Sequence, residues 1–301
     1  MTTAGSPELS VVVVALGSSA SLSAMLGAVT TQHGPSLEVI VPATARVHRL
    51  LESVGDVPPT VRIISLGDED EDTWRLRARG VAAARGTIVA TLEDHALPQP
   101  GWAARVVEAH AAAPHAAIGG VVEKATPDRA AGWAMYFFDY GRYIPPQVAG
   151  PRAYLTACNV SYKRAALAEV ADAWRVAMHE TTVHFALLAR GATLWLDPSM
   201  VVRQRRPMSL TEGLDELRTH GALFGRDRAA TLSATGRVMR LVATPAVPLV
   251  HLARSLAHPI RAPHLLGGYL RAFPTLVAFA AAWALGEAQG LARRRSRRAG
   301  A

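Results

Sequence analysis

Four short runs of mostly β-branched and aliphatic residues, Ser10–Leu16, Glu38–Val41, Val61–Ser65 and Thr87–Leu92, alternate with segments of helical period. The first run, Ser-Val-Val-Val-Val-Ala-Leu, shows no polar alternation, so it reads as a strand covered on both faces, as in a parallel sheet. Ser18–Gln32 places Leu22, Met25, Leu26 and Val29 on one helical stripe and is stopped by Gly34-Pro35. Ala45–Val54, Asp72–Arg85 and Ala103–Ala112 read as the next helices, and Ala117–Val122 as a further strand. The βαβαβα order predicts an α/β fold: a Rossmann-like, mostly parallel sheet flanked by helices, with ligands beyond the carboxyl ends of the strands.

The triplet Glu93-Asp94-His95 stands at such an end, where the fourth run opens into a loop holding Pro98, Pro100, Gly101 and Trp102. Carboxylates and an imidazole on a rigid strand end, facing a crevice, suit a divalent cation and a diphosphate. No Gly-x-Gly-x-x-Gly follows the first strand, which runs on as Ala15-Leu16-Gly17-Ser18, and no Gly-Lys-Ser/Thr occurs, so a dinucleotide cofactor and a P-loop are excluded.

With half of its 301 residues apolar, the chain can bury one large core and carry one appended unit. Cys158 is the sole cysteine, so no intrachain disulfide forms; with no signal-peptide pattern at the start, a reducing, cytoplasmic compartment is expected. Its apolar neighbours make Cys158 a small core residue rather than a nucleophile. Charge is segregated. Residues 1–200 hold 16 basic and 19 acidic side chains, net −3, and residues 201–301 hold 16 and 5, net +11. Since the longest apolar runs share that basic third, an anionic membrane surface explains the pair of features and nucleic acid does not.

Five features in order resemble the glycosyltransferases of family two, with the GT-A fold, over roughly residues 8–205. Leu9–Leu16 is similar to the family's first strand. Leu76-Arg77-Ala78-Arg79-Gly80 followed by Ala84-Arg85-Gly86 resembles its helix before the metal strand. Its Asp-x-Asp motif falls on Glu93-Asp94-His95. Asn159-Val160-Ser161 with Lys163-Arg164 resembles a later Asn motif, and His179-Glu180, followed by Gly191, Thr193–Leu196 and Pro198, resembles its Glu-Asp pair. Three positions depart from the pattern. Val41-Pro42-Ala43 stands where the second strand usually ends in Asp, His95 replaces the last acid of the metal motif, and His179 replaces the first acid of the pair.

The resemblance implies transfer of a sugar from a nucleotide-diphosphate donor to an acceptor hydroxyl, with inversion at the anomeric carbon. A divalent metal held by Asp94 and His95 would stabilise the departing diphosphate, and the imidazole favours Mn²⁺ over Mg²⁺. Ala15, Leu16, Gly17, Arg77, Glu93, Asp94, Asn159, Arg203 and Arg206 are the expected donor-binding residues, and Glu180 the expected catalytic base. Read without the resemblance, Glu180 is a helix N-terminal carboxylate before it is a base, His184 either a pocket wall or a satisfied histidine, and Asn159 a helix cap. The aromatic segment Glu123–Gly150 (Trp133, Tyr136, Phe137, Phe138, Tyr140, Tyr143) is either an acceptor-facing insertion or a loop with a short helix buried on the core.

The expected organisation is residues 1–206 as the GT-A nucleotide-sugar domain and 207–301 as a basic, helical, membrane-associated extension. Leu241–Ala253 and Ala272–Gly286 are apolar runs of 13 and 15 residues between charged flanks, short of a bilayer span, and suit interfacial or re-entrant helices with Trp283 at the headgroups and Arg293–Arg298 on an anionic leaflet. A soluble helical pair packed on the catalytic domain is the other reading. Attachment at the cytoplasmic face of the cell membrane would bring a glycan or lipid-linked acceptor to the site, in cell-envelope or surface polysaccharide assembly. The rival is a catalytically silent GT-A protein serving as a nucleotide- or lipid-binding scaffold. A nucleotidyltransferase ranks last, because Gly17-Ser18-Ser19-Ala20 lacks a cation for a triphosphate.

Overall fold

A computed structural model describes residues 6–67 and 72–292 and divides the chain into two compact units, Met1–Ala125 with Tyr143–Arg205, and Thr126–Arg142 with Arg206–Ala301. The break at Arg205/Arg206 lies beside the expected boundary, but Thr126–Arg142, expected in the first region, belongs to the second unit. The Arg293–Arg298 run lies outside the described residues.

The first unit runs β1 (Leu9–Val14), α1 (Ser19–Thr30), β2 (Leu37–Ala43), α2 (Ala45–Val54), β3 (Val61–Ser65), α3 (Thr73–Ala83), β4 (Ile88–Glu93), β5 (Ala96–Pro98), α4 (Trp102–Ala112) and β6 (Ala117–Lys124). After α5 (Ala130–Asp139), which belongs to the second unit, it resumes with β7 (Gly150–Pro151), β8 (Val160–Lys163), α6 (Arg164–Glu169), α7 (Glu180–Ala189) and β9 (Leu194–Gln204). Among the described residues these strands form one sheet, ordered β3-β2-β1-β4-β8-β6-β9-β5, with β7 on β9. The pairs β3·β2, β2·β1 and β1·β4 are parallel, as the alternation predicts. Beyond β4 the sheet is mixed, because β8 runs antiparallel to both β4 and β6. Its short Val-Ser-Tyr-Lys sequence had not marked it as a strand.

All six residues of β1 are buried, which the unbroken valine run requires. Helix α1 starts where the Ser18 side chain accepts from the Ser21 N–H, and α3 where Asp72 accepts from the Arg75 N–H. Gly80 lets α3 close on the sheet: a Cβ there would strike Val12 Cγ1 and press on Pro42. β1 and β4 are adjacent and parallel, whereas β2 and β3 extend to the far side of β1. Their carboxyl ends therefore form the switch point where ligands of open α/β sheets lie.

The second unit contains α5, α8 (Leu210–Thr231), α9 (Ala234–Ala243), α10 (Val247–Arg261) and α11 (Leu266–Ala292). Helix α8 opens with a reciprocal capping box between Ser209 and Glu212. Pro245 and Pro248 sit at helix starts, where a missing N–H costs nothing, so they mark the turn into α10. Helix α11 has 27 residues where the apolar run had 15, because Arg271 and Glu287 lie within it and do not end it. The segment Pro263–Ala292 is long and apolar enough to cross a membrane, with 39% of its apolar window buried inside the protein.

The aromatic segment is resolved by α5, whose residues Ala131–Phe137 are all buried. Phe137 meets Tyr269 edge-on at 5.2 Å, and Gly268 lies under the Trp133 ring, so the aromatics of α5 are core of the second unit and not an acceptor-facing insertion, while Tyr143 falls in the first unit. Trp283 packs among Phe138, Phe224 and His251 at centroid distances of 5.7, 5.7 and 6.0 Å.

Candidate active site

At the switch point the backbone N–H of Gly17, just past β1, donates to Asp94 Oδ2 at 2.8 Å, and the Asp94 N–H donates to the Val14 carbonyl at 3.1 Å. The loop Ala15-Leu16-Gly17 is thus clasped to the end of β4. Arg46, in the first turn of α2, completes the clasp, donating to the carbonyls of Ala15 (3.2 Å), Leu16 (2.9 Å) and Gly17 (2.9 Å). A Cβ on residue 17 would come within 3.2 Å of Asp94 Oδ2 and of Ser21 Oγ, so glycine suits the approach.

Asp94 is 1% exposed, and burial pushes its carboxyl above the ordinary carboxylate range. The backbone hydrogen bonds from Gly17 and Leu16 and the charge of Arg46 pull it back, whereas the Glu93 charge adds to the rise. Its second oxygen, Oδ1, is buried with no hydrogen-bond partner. A buried carboxylate oxygen left bare is costly unless something else meets it. His95 Nδ1 lies 3.9 Å from that oxygen, and His95 Nε2 lies 3.4 Å from Glu93 Oε2. One cation could be met by both Asp94 Oδ1 and the imidazole, so the residues fit a divalent ion. Among the described residues no group of three or more His, Cys, Asp or Glu side chains is arranged for a metal. The protein would supply two ligands and a bound diphosphate the rest, an arrangement usual for cations that bridge phosphates.

Arg77 is 2% exposed and reaches from α3 beneath the strand end. Its Nη2 donates to Glu93 Oε1 at 2.7 Å, and its Nη1 faces Glu180 Oε2 at 3.4 Å and the Met178 carbonyl at 3.3 Å. This corrects its expected role as a diphosphate clamp, because the guanidinium is turned inward and spent on two carboxylates. The arrangement ties Glu180, the first residue of α7, to the triplet on β4. The Glu180 side chain keeps 25% of its surface open. Its neighbour His179 tilts against Trp74 at 5.0 Å.

Three further expected contacts are committed to partners of their own. Asn159 is fully buried: its amide donates to the carbonyls of Val121 (3.0 Å) and Met200 (2.9 Å), and its oxygen accepts from Trp102 Nε1 (3.0 Å). It stitches β6, β9 and α4 together, with nothing left for a donor or a helix cap. Arg203 pairs with Glu123 at 3.1 Å and lines a cavity of about 430 Å³ with Gln99, Arg105 and Ser199, a cavity that neither Asp94, His95 nor Glu180 lines. Arg206 falls in the second unit, paired with Glu216 at 2.7 Å.

His184 proves to be a satisfied histidine: Nδ1 accepts from the Leu155 N–H, Nε2 meets the Tyr162 hydroxyl at 2.9 Å, and burial lowers its pKa to about 4. Cys158 is buried and its thiol is pushed upward by burial, as befits a core residue. Arg46 is the site residue that sequence reading passed over. Its only signal was a basic residue three positions past β2, on the strand end where the family's usual acid is missing.

The sheet with flanking helices and a carboxylate-bearing strand end at its switch point has the architecture of the GT-A fold. Residues 10–171, a little over half of the chain, match the family described as Glycosyl transferase family 2, and the chain belongs to that family. Among solved structures it is similar to the mannosyltransferase PcManGT from Pyrobaculum calidifontis, in complex with GDP-Man and Mn²⁺. The TM-score is 0.56 at 16% identity, covering 94% of this chain and 88% of that one, a likeness of fold. No curated protein matches the chain in sequence.

Proposed function

We propose that the protein is an inverting, metal-dependent glycosyltransferase that takes its sugar from a nucleotide-diphosphate donor bound at the β1/β4 switch point. The observation that carries this reading is the bare, buried Oδ1 of Asp94, clasped in place by Gly17 and Arg46 with the His95 imidazole 3.9 Å away. A divalent cation held there by Asp94 and His95 would neutralise charge on the leaving diphosphate. Arg46, exposed beside Asp94, replaces the inward-turned Arg77 as the cation open to the donor. The backbone of Ala15–Gly17 shapes the floor of that site.

Glu180 receives the proton of the acceptor hydroxyl as that oxygen bonds to the anomeric carbon. The bond from that carbon to the diphosphate oxygen breaks on the opposite face, and the nucleoside diphosphate leaves with the electron pair. Arg77 acts as a positioning residue, holding Glu180 relative to the triplet by its fork to Glu93. A donor with a guanosine diphosphate leaving group is the first candidate, by likeness to PcManGT. The acceptor is a glycan or lipid-linked hydroxyl presented at the cytoplasmic face of an anionic membrane, in cell-envelope polysaccharide or glycolipid assembly; the charge-segregated second unit supports that setting.

Calorimetric titration with a panel of nucleoside diphosphates, GDP included, with and without Mn²⁺, tests the site. Binding that requires Mn²⁺ and disappears in Asp94→Ala/His95→Ala, with Glu180→Gln retaining binding while losing turnover, is the expected result. Absence of binding by every diphosphate would turn the assignment to the silent scaffold.

A further inference from the structure

We propose that the second unit lies in the plane of an anionic lipid leaflet, seated by exposed apolar stripes on α9, α10 and α11, and that α11 does not cross the bilayer. The inference deepens the membrane part of the proposed function and is independent of the transfer chemistry.

Helix α10 exposes a stripe of large apolar side chains. Its inward face carries Val247, Ser255 and Pro259, whereas Leu249 (68% exposed), Leu256 (48%) and Ile260 (71%) recur at seven- and four-residue steps along one outward stripe with Ala253. On α11, Leu266, Leu270, Phe273, Val277 and Leu285 form a second outward stripe, with Leu270 63% exposed. On α9, Val238, Met239 and Val242 are all more than half exposed. Isolated apolar side chains on a surface need no explanation, but aligned stripes on three consecutive helices do.

Charge decides what covers them. From Ala234 to Ala292 the sequence has five arginines and one acid, Glu287. That acid is 1% exposed and is paired with Arg240 at 3.0 Å and Arg228 at 3.8 Å. Arg254, Arg261 and Arg271 are exposed, with Arg254 and Arg261 at the flank of the α10 stripe. Apolar stripes edged only by exposed cations complement an anionic headgroup layer over hydrocarbon, and a water-facing or acidic protein partner less well.

The packing of α8 argues against a span. Gly213 sits against the Phe279 ring, Gly221 and Gly225 against the backbones of Trp283 and Glu287, and Gly286 and Gly290 against the Arg218 and Ala222 carbonyls. Helix α8 is thus pressed along the second half of α11. It carries Glu212, Asp215, Glu216, Arg218, Arg226, Asp227 and Arg228, and a spanning α11 would take these charges into hydrocarbon.

The full chain is mixed with vesicles of phosphatidylcholine alone and of equal parts phosphatidylcholine and phosphatidylglycerol, and flotation is measured. Wild type should float with the anionic vesicles, and Leu256→Asp/Ile260→Asp should partition at least tenfold more weakly while keeping its circular dichroism spectrum and its Mn²⁺-dependent nucleotide binding. Leu249→Asp, at a separate exposed position, should weaken partition in the same direction. Depth is read from an environment-sensitive dye on Ala281→Cys in a Cys158→Ser background: quenching by headgroup-level and not by bilayer-centre probes is expected. Bilayer-centre quenching, absence of flotation by wild type, or a lipid-free dimer abolished by Leu256→Asp/Ile260→Asp would each overturn the proposal. Vesicle binding and nucleotide binding are read separately, so failure of one leaves the other standing.

Discussion

Replacing Arg77 by alanine removes a cation that faces both Glu93 and Glu180. The guanidinium is 2% exposed, and the two carboxylate side chains are 14% and 25% exposed, held at 2.7 and 3.4 Å. Breaking a buried ion pair by deleting one member costs about 3–5 kcal/mol, because the remaining charge is stranded. Since both carboxylates here keep some solvent, the lower end applies, about 3 kcal/mol, or roughly 6–12 °C in Tm for a unit of this size. The stranded charge can be removed in turn: adding Glu93→Gln to Arg77→Ala should return about 1 kcal/mol or more, since residues sharing one ion-pair network do not add. Arg77→Lys should fall between, because an ammonium cannot fork to two carboxylates. Urea denaturation of the four proteins measures these energies, and donor affinity measured alongside separates stability from function. A loss under about 0.5 kcal/mol for Arg77→Ala would refute the reasoning. So would a loss of nucleotide affinity at unchanged stability, which would return Arg77 to the donor site.

Asn159→Ala should lose about 3 kcal/mol, because the Trp102 N–H and the Val121 and Met200 carbonyls are left unpaired in the core, while nucleotide affinity in the folded fraction is unchanged; chemical denaturation and calorimetry read the two quantities. Stability should fall on acidification because of His110 and His184, whose folded pKa values are lowered by burial to about 4 from 6.5. The unfolded chain takes up these protons near pH 6.5 and the folded chain only near 4, so the contribution is full above 6.5 and is lost towards 4, by up to about 3 kcal/mol per histidine. The raised Asp94 works in the opposite sense and offsets part of the loss. Urea midpoints across that range should give a shallower slope for His184→Gln than for wild type, and equal slopes would count against it. Gly286→Ala places a methyl group against the Arg218 carbonyl and should lower the thermal midpoint of the second unit by several degrees; an unchanged midpoint would mean that α8 and α11 can part without cost. Arg46→Ala should weaken diphosphate binding several-fold by freeing Ala15–Gly17, with little change in Tm, since the side chain is exposed.

The parallel half of the sheet was legible because β1 is a contiguous apolar run buried along its whole length, and β2, β3 and β4 are short, mostly β-branched and aliphatic runs set between segments of helical period. β8 was not, because Val160-Ser161-Tyr162-Lys163 hides its strand character behind polar residues that are satisfied inside: Ser161 hydrogen-bonds the Ile118 carbonyl and His110, and Tyr162 meets His184. Helix α5 was misplaced for a related reason. Its aromatics say only that the segment is buried, and which unit buries it is fixed by Gly268 and Tyr269, more than 125 residues away in sequence. The length of α11 escaped because a charged residue reads as the end of an apolar run, whereas Glu287 is buried as half of an ion pair whose partner Arg240 lies on another helix.

At the site, residue type was legible and direction was not. Sequence marks Arg77 as a cation near the triplet, but only the close seating of α3 on β1, permitted by Gly80, turns its guanidinium inward to Glu93 and Glu180. With Arg77 committed there, Arg46 is the exposed cation beside Asp94 to which the proposed function gives the diphosphate, and this bears on the departures at Ala43 and His95. In the proposed site, a strand end without its acid removes one negative charge from the neighbourhood of Arg46, and imidazole in place of carboxylate at the proposed metal position removes another. Both changes make the site more positive towards a diphosphate. Three missing acids therefore need not mean a dead site: Ala43 and His95 shift the balance of charge from the protein to the donor, and the loss at His179 leaves Glu180 in place, held by Arg77, with no second acid beside it.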